Sequence, residues 1–172
     1  MVLLVLLGVS SVAQADWSRR GRRGEERRLR TEVMRLAVEQ EGKPYVWNAS
    51  GPSAFDCSGF VHYVLKTSLG TERFALPYAL DKMPGYKHQS LYYRDQLRSR
   101  GAQIDCADAQ HADVVFFSRP GENNHIGLIT NPEHRYFITA QGKGLGVAVH
   151  SYAEKSYWGS RNPECYRNLY LQ

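Results

Sequence analysis

The sequence predicts an α+β domain in which helices come first and an antiparallel sheet follows. Two apolar stripes with helical spacing lie in the first part of the chain, at Leu29–Ala37 and Cys57–Leu65. The later part carries short strand-like runs separated by turn signals such as Asn131-Pro132 and Gly142–Gly146. Because short connections between strands imply antiparallel pairing, helices followed by such strands indicate the α+β class.

The composition fits one globular domain. A chain of 172 residues buries roughly two thirds of its unfolded surface, so folding needs no metal or cross-link. Its 42% hydrophobic and 12% aromatic residues exclude a disordered or low-complexity protein. The single long apolar run, Val2–Val12, is too short to span a bilayer comfortably, which excludes a polytopic membrane protein.

The N-terminal residues divide into a leader and a basic arm. Val2–Val12 is apolar and Ala13-Gln14-Ala15 has the form of a signal-peptidase site, so residues 1–15 are expected to be a secretory signal peptide. The mature chain is then periplasmic or secreted. Residues 16–30 are expected to be an Arg-rich flexible arm, followed by a single domain at 31–172. A buried helix or an uncleaved anchor is the alternative for the leader.

Most of the net charge of +5 lies in the arm. Residues 31–172 hold 15 basic and 14 acidic residues, a net charge of +1. A nucleic-acid-binding domain would spread basic residues over a face of the fold, so no nucleic-acid partner is expected. The sequence has no P-loop and no Cys-x-x-Cys pair, so no cofactor and no metal are expected either. We further expect a monomer without an integral membrane segment.

The predicted elements follow from these patterns. The first helix is predicted over Glu25–Glu41 and ends at Gly42-Lys43-Pro44. A second helix begins at Cys57, for which Asp56 is a suitable N-cap, and a third lies around Leu91–Ser99. The predicted strands are Asp113–Phe117, His125–Thr130, Tyr136–Gln141, Val147–Ser151 and Cys165–Leu171.

Cys57 has the position of a catalytic nucleophile. It lies in the first turn of its helix, where backbone N–H groups and the helix dipole favour a thiolate. His125 follows later in the chain, at the start of a predicted strand, and can accept the thiol proton. A Cys at a helix start followed by a His on a strand is the chain order of papain-like enzymes. A buried structural Cys and a structural His are the alternatives that these residues alone leave open.

Several ordered motifs resemble the signatures of the NlpC-type cell-wall cysteine peptidases. They are Gly42–Trp47 with Gly51-Pro52, Phe55–Val61, Ala112–Phe117 with His125–Gly127, and Tyr157-Trp158 with Arg161. The resemblance implies a compact papain-like fold, in which helices carrying Cys57 pack on an antiparallel sheet carrying His125. It also implies a cysteine peptidase that hydrolyses peptidoglycan stem peptides, with Cys57 as nucleophile and His125 as general base.

The third catalytic residue departs from the pattern of that family. The family usually has His, Asn or Gln on the strand after the catalytic His, and here Thr139 occupies that position. Thr139 is therefore the expected third catalytic residue. Gln141 is an alternative, because it lies on the same strand face and its amide oxygen is a stronger acceptor. His150 on the next predicted strand is a weaker alternative.

The resembling motifs also point to substrate contacts. Tyr45, Asp56, Ser58 and Gln141 are the residues expected to bind substrate. The segment Trp47-Asn48-Ala49 departs from the Trp-Gly-Gly that is usual in the family, which predicts a differently shaped cleft.

Two other functions remain open at this point. An amidase that cuts between the sugar and L-alanine has the same order of Cys and His. A non-catalytic peptidoglycan-binding module is the other, favoured only by the unusual Thr139. Cys106 and Cys165 remain after Cys57 is assigned, and in an exported protein they form either one disulfide or two reduced thiols.

Overall fold

The computed structural model describes residues 11–78, 85, 88–118, 124–142 and 144–172, with the backbone alone for residues 11–15. The first ten residues of the predicted signal peptide therefore lie outside the described residues. The helices are α1 (Ser11–Val38), α2 (Cys57–Arg73) and α3 (Gln89–Ser99). The strands are β1 (Gln103–Ile104), β2 (Val114–Phe117), β3 (His125–Asn131), β4 (Tyr136–Gln141), β5 (Gly146–Ser151) and β6 (Glu164–Tyr166). None of the described helices combines the length and apolar character needed to cross a lipid bilayer.

The strands form one antiparallel sheet in the order β1-β6-β2-β3-β4-β5. Strands β2 to β5 are the predicted meander, so the predicted α+β class with an antiparallel sheet is confirmed. Strand β6 returns from the end of the chain to pair with β2, opposing Cys165 to Val115. The sequence did not predict β1, because two residues are too few to show a period.

Both faces of the sheet are covered by packed side chains, which form two core clusters. Even-numbered residues of β2 and β3, such as Phe116 and Leu128, pack with the helices in one core cluster. Odd-numbered residues, such as Phe117 and Ile129, pack in a second cluster with Trp158. Because side chains alternate along a strand, two adjacent residues of β3 reach opposite faces of the sheet.

Helix α1 begins earlier than predicted. Residues 16–30, expected to be a flexible arm, are helical in the structure, which accords with the high helix propensity of Arg and Glu. Asp16 and Arg20, which lie one helical turn apart, form an ion pair that further stabilises this part of the helix. Most of this stretch is exposed, but Arg30 is buried and pairs with Glu26 and Asp113. Arg30 therefore belongs to the folded domain, and not to an arm in front of it.

Asp113 ties three parts of the chain together. Its carboxylate is fully buried and accepts hydrogen bonds from Arg30 of α1 at 2.9 Å and from Arg167 at 2.7 Å. It also accepts the backbone N–H groups of Gln110 at 2.9 Å and Asn168 at 3.1 Å. A buried carboxylate with two cations and two amides is fully compensated, so this centre fastens α1 and the C-terminal segment to β2.

The last predicted strand is too long. The prediction covered Cys165–Leu171, whereas β6 ends at Tyr166 and Leu169–Leu171 forms a turn of 3₁₀-helix. The chain leaves the sheet because the backbone N–H of Asn168 turns toward Asp113, while its side chain caps the following turn. A disulfide joins Cys106 to Cys165, which is one of the two predicted alternatives for these residues. Cys57 is the free cysteine.

Candidate active site

Cys57 is the first residue of α2, and its neighbours fix that helix start. The Asp56 carboxylate accepts the backbone N–H of Gly59 at 2.6 Å and the hydroxyl of Ser58 at 2.9 Å. A Cβ atom on Gly59 would lie 2.0 Å from the carbonyl oxygen of Ala49, so only glycine permits this approach. The Asp-Cys-Ser-Gly run is therefore a capped helix start pressed against the loop before it.

Asp56 also holds that loop in place. Its second oxygen accepts the backbone N–H of Asn48 and the hydroxyl of Tyr78, each at 2.9 Å. Both Asp56 and Ser58 are only 3% exposed. The structure thus brings these two predicted substrate ligands to the site as supports of the Cys57 helix start. Their direct contact with substrate stays a prediction.

The loop that departs from the usual Trp-Gly-Gly keeps a backbone suited to glycine. Asn48 has φ of 61°, in the left-handed region that Asn tolerates better than most residues. Its side-chain oxygen accepts a hydrogen bond from Gln89 of α3 at 3.2 Å. Next to it the side chain of Trp47, which the usual Trp-Gly-Gly shares, is 61% exposed, so the departure places a tethered asparagine beside an exposed tryptophan.

The thiol of Cys57 is protonated at rest. Burial, and then the Asp56 carboxylate, raise the pKa of Cys57 to about 12, although backbone hydrogen bonds from Ile126, Ser58 and Cys57 itself act to lower it. These effects outweigh the helix start, which by itself would favour a thiolate. The contact with the Ile126 backbone places the thiol against the start of β3, next to His125.

Thr139 holds the imidazole of His125. Its hydroxyl oxygen lies 3.0 Å from Nε2 of His125 and 2.7 Å from the carbonyl oxygen of Ile126. A carbonyl can only accept, so the hydroxyl proton points to Ile126 and the hydroxyl oxygen accepts the Nε2–H of His125. This assigns the tautomer in which Nδ1 is free to take a proton. Burial and the nearby His150 lower the pKa of His125 to about 3, so the ring is neutral at rest.

Trp158 stacks on the same imidazole, a contact that sequence reasoning missed. The two ring centroids are 4.3 Å apart and the ring planes differ by 21°. Trp158 is only 7% exposed and packs on Phe117 at 4.9 Å. The sequence offered one indication, the Tyr157-Trp158 pair in the last of the resembling motifs. An aromatic pair by itself is more often part of a hydrophobic core, so it does not predict a contact with His125.

The two alternative orienting residues do not bond to His125. The side-chain oxygen of Gln141 and Nε2 of His150 are buried, and neither has a hydrogen-bond partner within the described part of the chain. Both residues line a cavity of about 450 Å³, together with Trp158. Among the predicted candidates, the structure therefore brings Thr139 to the imidazole and leaves Gln141 and His150 beside a cavity.

Tyr45, the remaining predicted ligand, lies near the thiol. Burial raises the pKa of its phenol to about 12, with added contributions from the charges of Cys57 and Asp56. A Cβ on Gly142, in the turn after β4, would lie 3.6 Å from its ring. The Tyr45 hydroxyl is thus protonated and close enough to Cys57 and Asp56 for their charges to affect its pKa, and its ring faces the β4–β5 turn.

Comparison with known proteins identifies a matching family and related proteins. Residues 42–165 match the family model described as NlpC/P60 family. Murein DD-endopeptidase MepH of Escherichia coli K12 is 28% identical over 129 residues, covering 73% of this chain and 41% of that protein. Probable endopeptidase p60 of Listeria grayi is 30% identical over 111 residues, covering 64% of this chain and 18% of that protein.

Solved structures extend the likeness to the fold. An NlpC/P60 family protein from Bacillus cereus ATCC 10987 has a TM-score of 0.59 at 18% identity, covering 83% of this chain and 40% of that one. This likeness confirms the predicted compact fold of helices on an antiparallel sheet. The chain spans less than half the length of each of these three proteins.

Proposed function

Because the chain belongs to the NlpC/P60 family, we propose that it is a cysteine endopeptidase that hydrolyses the stem peptides of peptidoglycan. The observation that carries the proposal is the pair of hydrogen bonds at Thr139, which place the imidazole proton of His125 on Nε2 and leave Nδ1 unprotonated. The two relatives named as endopeptidases support the same reaction.

The first step is attack of the Cys57 sulfur on the scissile carbonyl carbon. Since the thiol and the imidazole are both neutral at rest, Nδ1 of His125 takes the thiol proton as the carbon–sulfur bond forms. The positive charge that develops on the ring is stabilised by the Thr139 hydroxyl and the face of Trp158. The backbone N–H of Cys57, at the helix start, is a natural donor to the carbonyl oxygen as it becomes negative.

The later steps return the proton and release the acid. His125 protonates the leaving amine as the carbon–nitrogen bond breaks, which leaves a thioester on Cys57. A water molecule then attacks the thioester carbonyl while His125 takes one of its protons. The thiolate leaves and recovers that proton from His125, so the second product is a carboxylic acid and the site is restored.

The structure removes the argument for one alternative function, the binding module, and leaves the other, the amidase, to be tested by its products. The unusual Thr139 was the feature that favoured a non-catalytic binding module, but its hydroxyl makes the bond that an amide or imidazole would make in other members. That argument for a binding module therefore falls away. An amidase would use the same Cys57 and His125, and only its products distinguish it.

The test is mass spectrometry of purified peptidoglycan treated with the protein and with Cys57→Ala. An endopeptidase yields new amino and carboxyl ends within the stem peptide, whereas an amidase releases intact stems from the sugar. Cys57→Ala should give no products and keep the wild-type circular dichroism spectrum, because alanine fits a helix start. Thr67→Ala, exposed on the same helix, is the matched control and should hydrolyse normally. Products from Cys57→Ala at the wild-type rate would refute a cysteine peptidase.

We also propose that the protein acts outside the cytoplasm, as a monomer, after cleavage between Ala15 and Asp16. Support comes from the apolar run, the Ala13-Gln14-Ala15 site and the wall substrate. N-terminal sequencing of exported material should give Asp16 as the first residue. Recovery of the intact chain from the cytoplasm alone would contradict export.

A further inference from the structure

The cavity next to Trp158 has no part in the chemistry described above. It has a volume of about 450 Å³ and is lined by Gln141 at the end of β4, His150 on β5, and Leu145 between these strands. Tyr157 and Trp158 form another wall. Since Trp158 also stacks on His125, one side chain separates the cavity from the catalytic imidazole.

We propose that this cavity binds the part of the peptide substrate on the amine side of the scissile bond, through Gln141 and His150. The inference rests on the proposed endopeptidase function and adds a specificity site to it.

Two buried polar atoms carry the argument. The side-chain oxygen of Gln141 and Nε2 of His150 have no hydrogen-bond partner among the residues that the structure describes. Buried polar atoms in native proteins are nearly always paired, so two orphans on the walls of one cavity indicate a ligand that pairs with them. The Gln141 oxygen can accept a peptide N–H, and a neutral imidazole nitrogen can donate to a carbonyl or accept from an N–H.

The chemistry of the site sets which half of the substrate lies here. His125 must protonate the leaving amine, so the peptide beyond that amine extends on the imidazole side of Cys57. Gln141 lies two residues beyond Thr139 on the same face of β4, and Thr139 bonds to His125. The Gln141 oxygen is therefore on the imidazole side of the site, toward which the peptide beyond the leaving nitrogen extends.

The apolar walls suit a peptide better than a bare polar group. Leu145 is 52% exposed and Tyr157 is 56% exposed, although both are large hydrophobic residues. Their exposed surface lies on the cavity that Gln141 and His150 also line. An amide followed by a short aliphatic side chain matches both the polar atoms and this surface.

A binding experiment tests the site without requiring hydrolysis. The Cys57→Ala protein would be labelled with ¹⁵N and titrated with alanyl-alanine amide, and separately with N-acetylglucosamine, while nuclear magnetic resonance follows His150 and the side-chain amide of Gln141. The dipeptide amide should shift both signals and saturate. No shift with the dipeptide, or a saturable shift with the sugar alone, would overturn the peptide assignment.

A kinetic experiment tests its role in specificity. The ratio of kcat/KM for substrates with two residues and with one residue after the scissile bond should fall about tenfold in Gln141→Leu, the loss expected for one hydrogen bond. Val149→Ala is the matched control, because Val149 is exposed on the face of β5 opposite His150. An unchanged ratio in both Gln141→Leu and His150→Phe would refute the site. A wild-type protein that binds the dipeptide but hydrolyses nothing would instead refute the endopeptidase function alone.

Discussion

Replacing Thr139 by valine removes one hydroxyl group and keeps the shape of the side chain. That hydroxyl accepts the Nε2–H of His125 at 3.0 Å and donates to the carbonyl oxygen of Ile126 at 2.7 Å. Thr139 is fully buried, so bulk water has no direct access to replace it. In Thr139→Val the imidazole therefore loses the acceptor that fixes its tautomer and supports its positive charge.

The size of the effect follows from the charge on the ring. A hydrogen bond between neutral groups contributes about 1 kcal/mol, whereas one to a charged group contributes about 1.5–3 kcal/mol. The imidazole is neutral at rest and becomes charged as the thiol attacks, so the larger value applies to the transition state. Since about 1.4 kcal/mol corresponds to a tenfold rate change, kcat should fall about 10- to 100-fold. KM should change little, because the hydroxyl is bonded to His125 and to the backbone of Ile126.

The assay is steady-state hydrolysis of a soluble muropeptide, with urea unfolding to measure stability in parallel. Thr139→Ser is the matched control, since it keeps the hydroxyl and should retain most of kcat. An equal loss in Thr139→Ser would show that packing, and not the hydroxyl, is responsible. Full turnover in Thr139→Val together with a large loss of kcat in Gln141→Leu would refute the reasoning and move the orienting role to Gln141.

Three further predictions follow from other contacts of the same domain. Trp158→Leu should lower kcat about tenfold and more than it changes KM, because the imidazolium loses its aromatic partner; equal kcat would contradict a positioning role. Burial lowers the pKa of His62 to about 4 and that of His125 to about 3, so the unfolded chain binds more protons below about pH 6.5. The free energy of unfolding should therefore decrease as the pH falls from 7 to 5, and a urea midpoint that stays constant would count against these shifts. Replacing both Cys106 and Cys165 by alanine should lower the free energy of unfolding by about 4 kcal/mol, since the disulfide closes a loop of 59 residues. Denaturant titration measures this free energy, and a loss within error of zero would show that the loop needs no cross-link.

The sequence was most informative where the structure is local. The start of α2 at Cys57 was predictable because an N-cap such as Asp56 is read from adjacent residues. Strands β2 to β5 were predictable because each is long enough to show its pattern. Thr139 was predictable as the partner of His125 because it occupies the position that the resemblance to the NlpC-type family marks on the strand after His125.

The contacts that the sequence did not predict join residues distant in the chain. Trp158 reaches His125 through a segment that covers the sheet, and no periodic pattern marks such a contact. The protonated state of Cys57 likewise depends on burial under neighbouring elements, which opposes the local effect of the helix start. Local rules give the backbone position of a nucleophile, whereas its ionisation depends on the surrounding fold.

The ion pair between Arg30 and Asp113 shows that the packed domain extends beyond the residues that match the family model. The family match begins at residue 42, yet Val33 and Ala37 of α1 are fully buried and Arg30 neutralises Asp113. A chain cut at Gly42 would leave Asp113 with one of its two cations and open the core that α1 covers. Breaking a buried ion pair typically costs about 3–5 kcal/mol, a large share of the stability of a small domain. The packed domain therefore includes α1 from Arg30 onward, well upstream of the residues that match the family model.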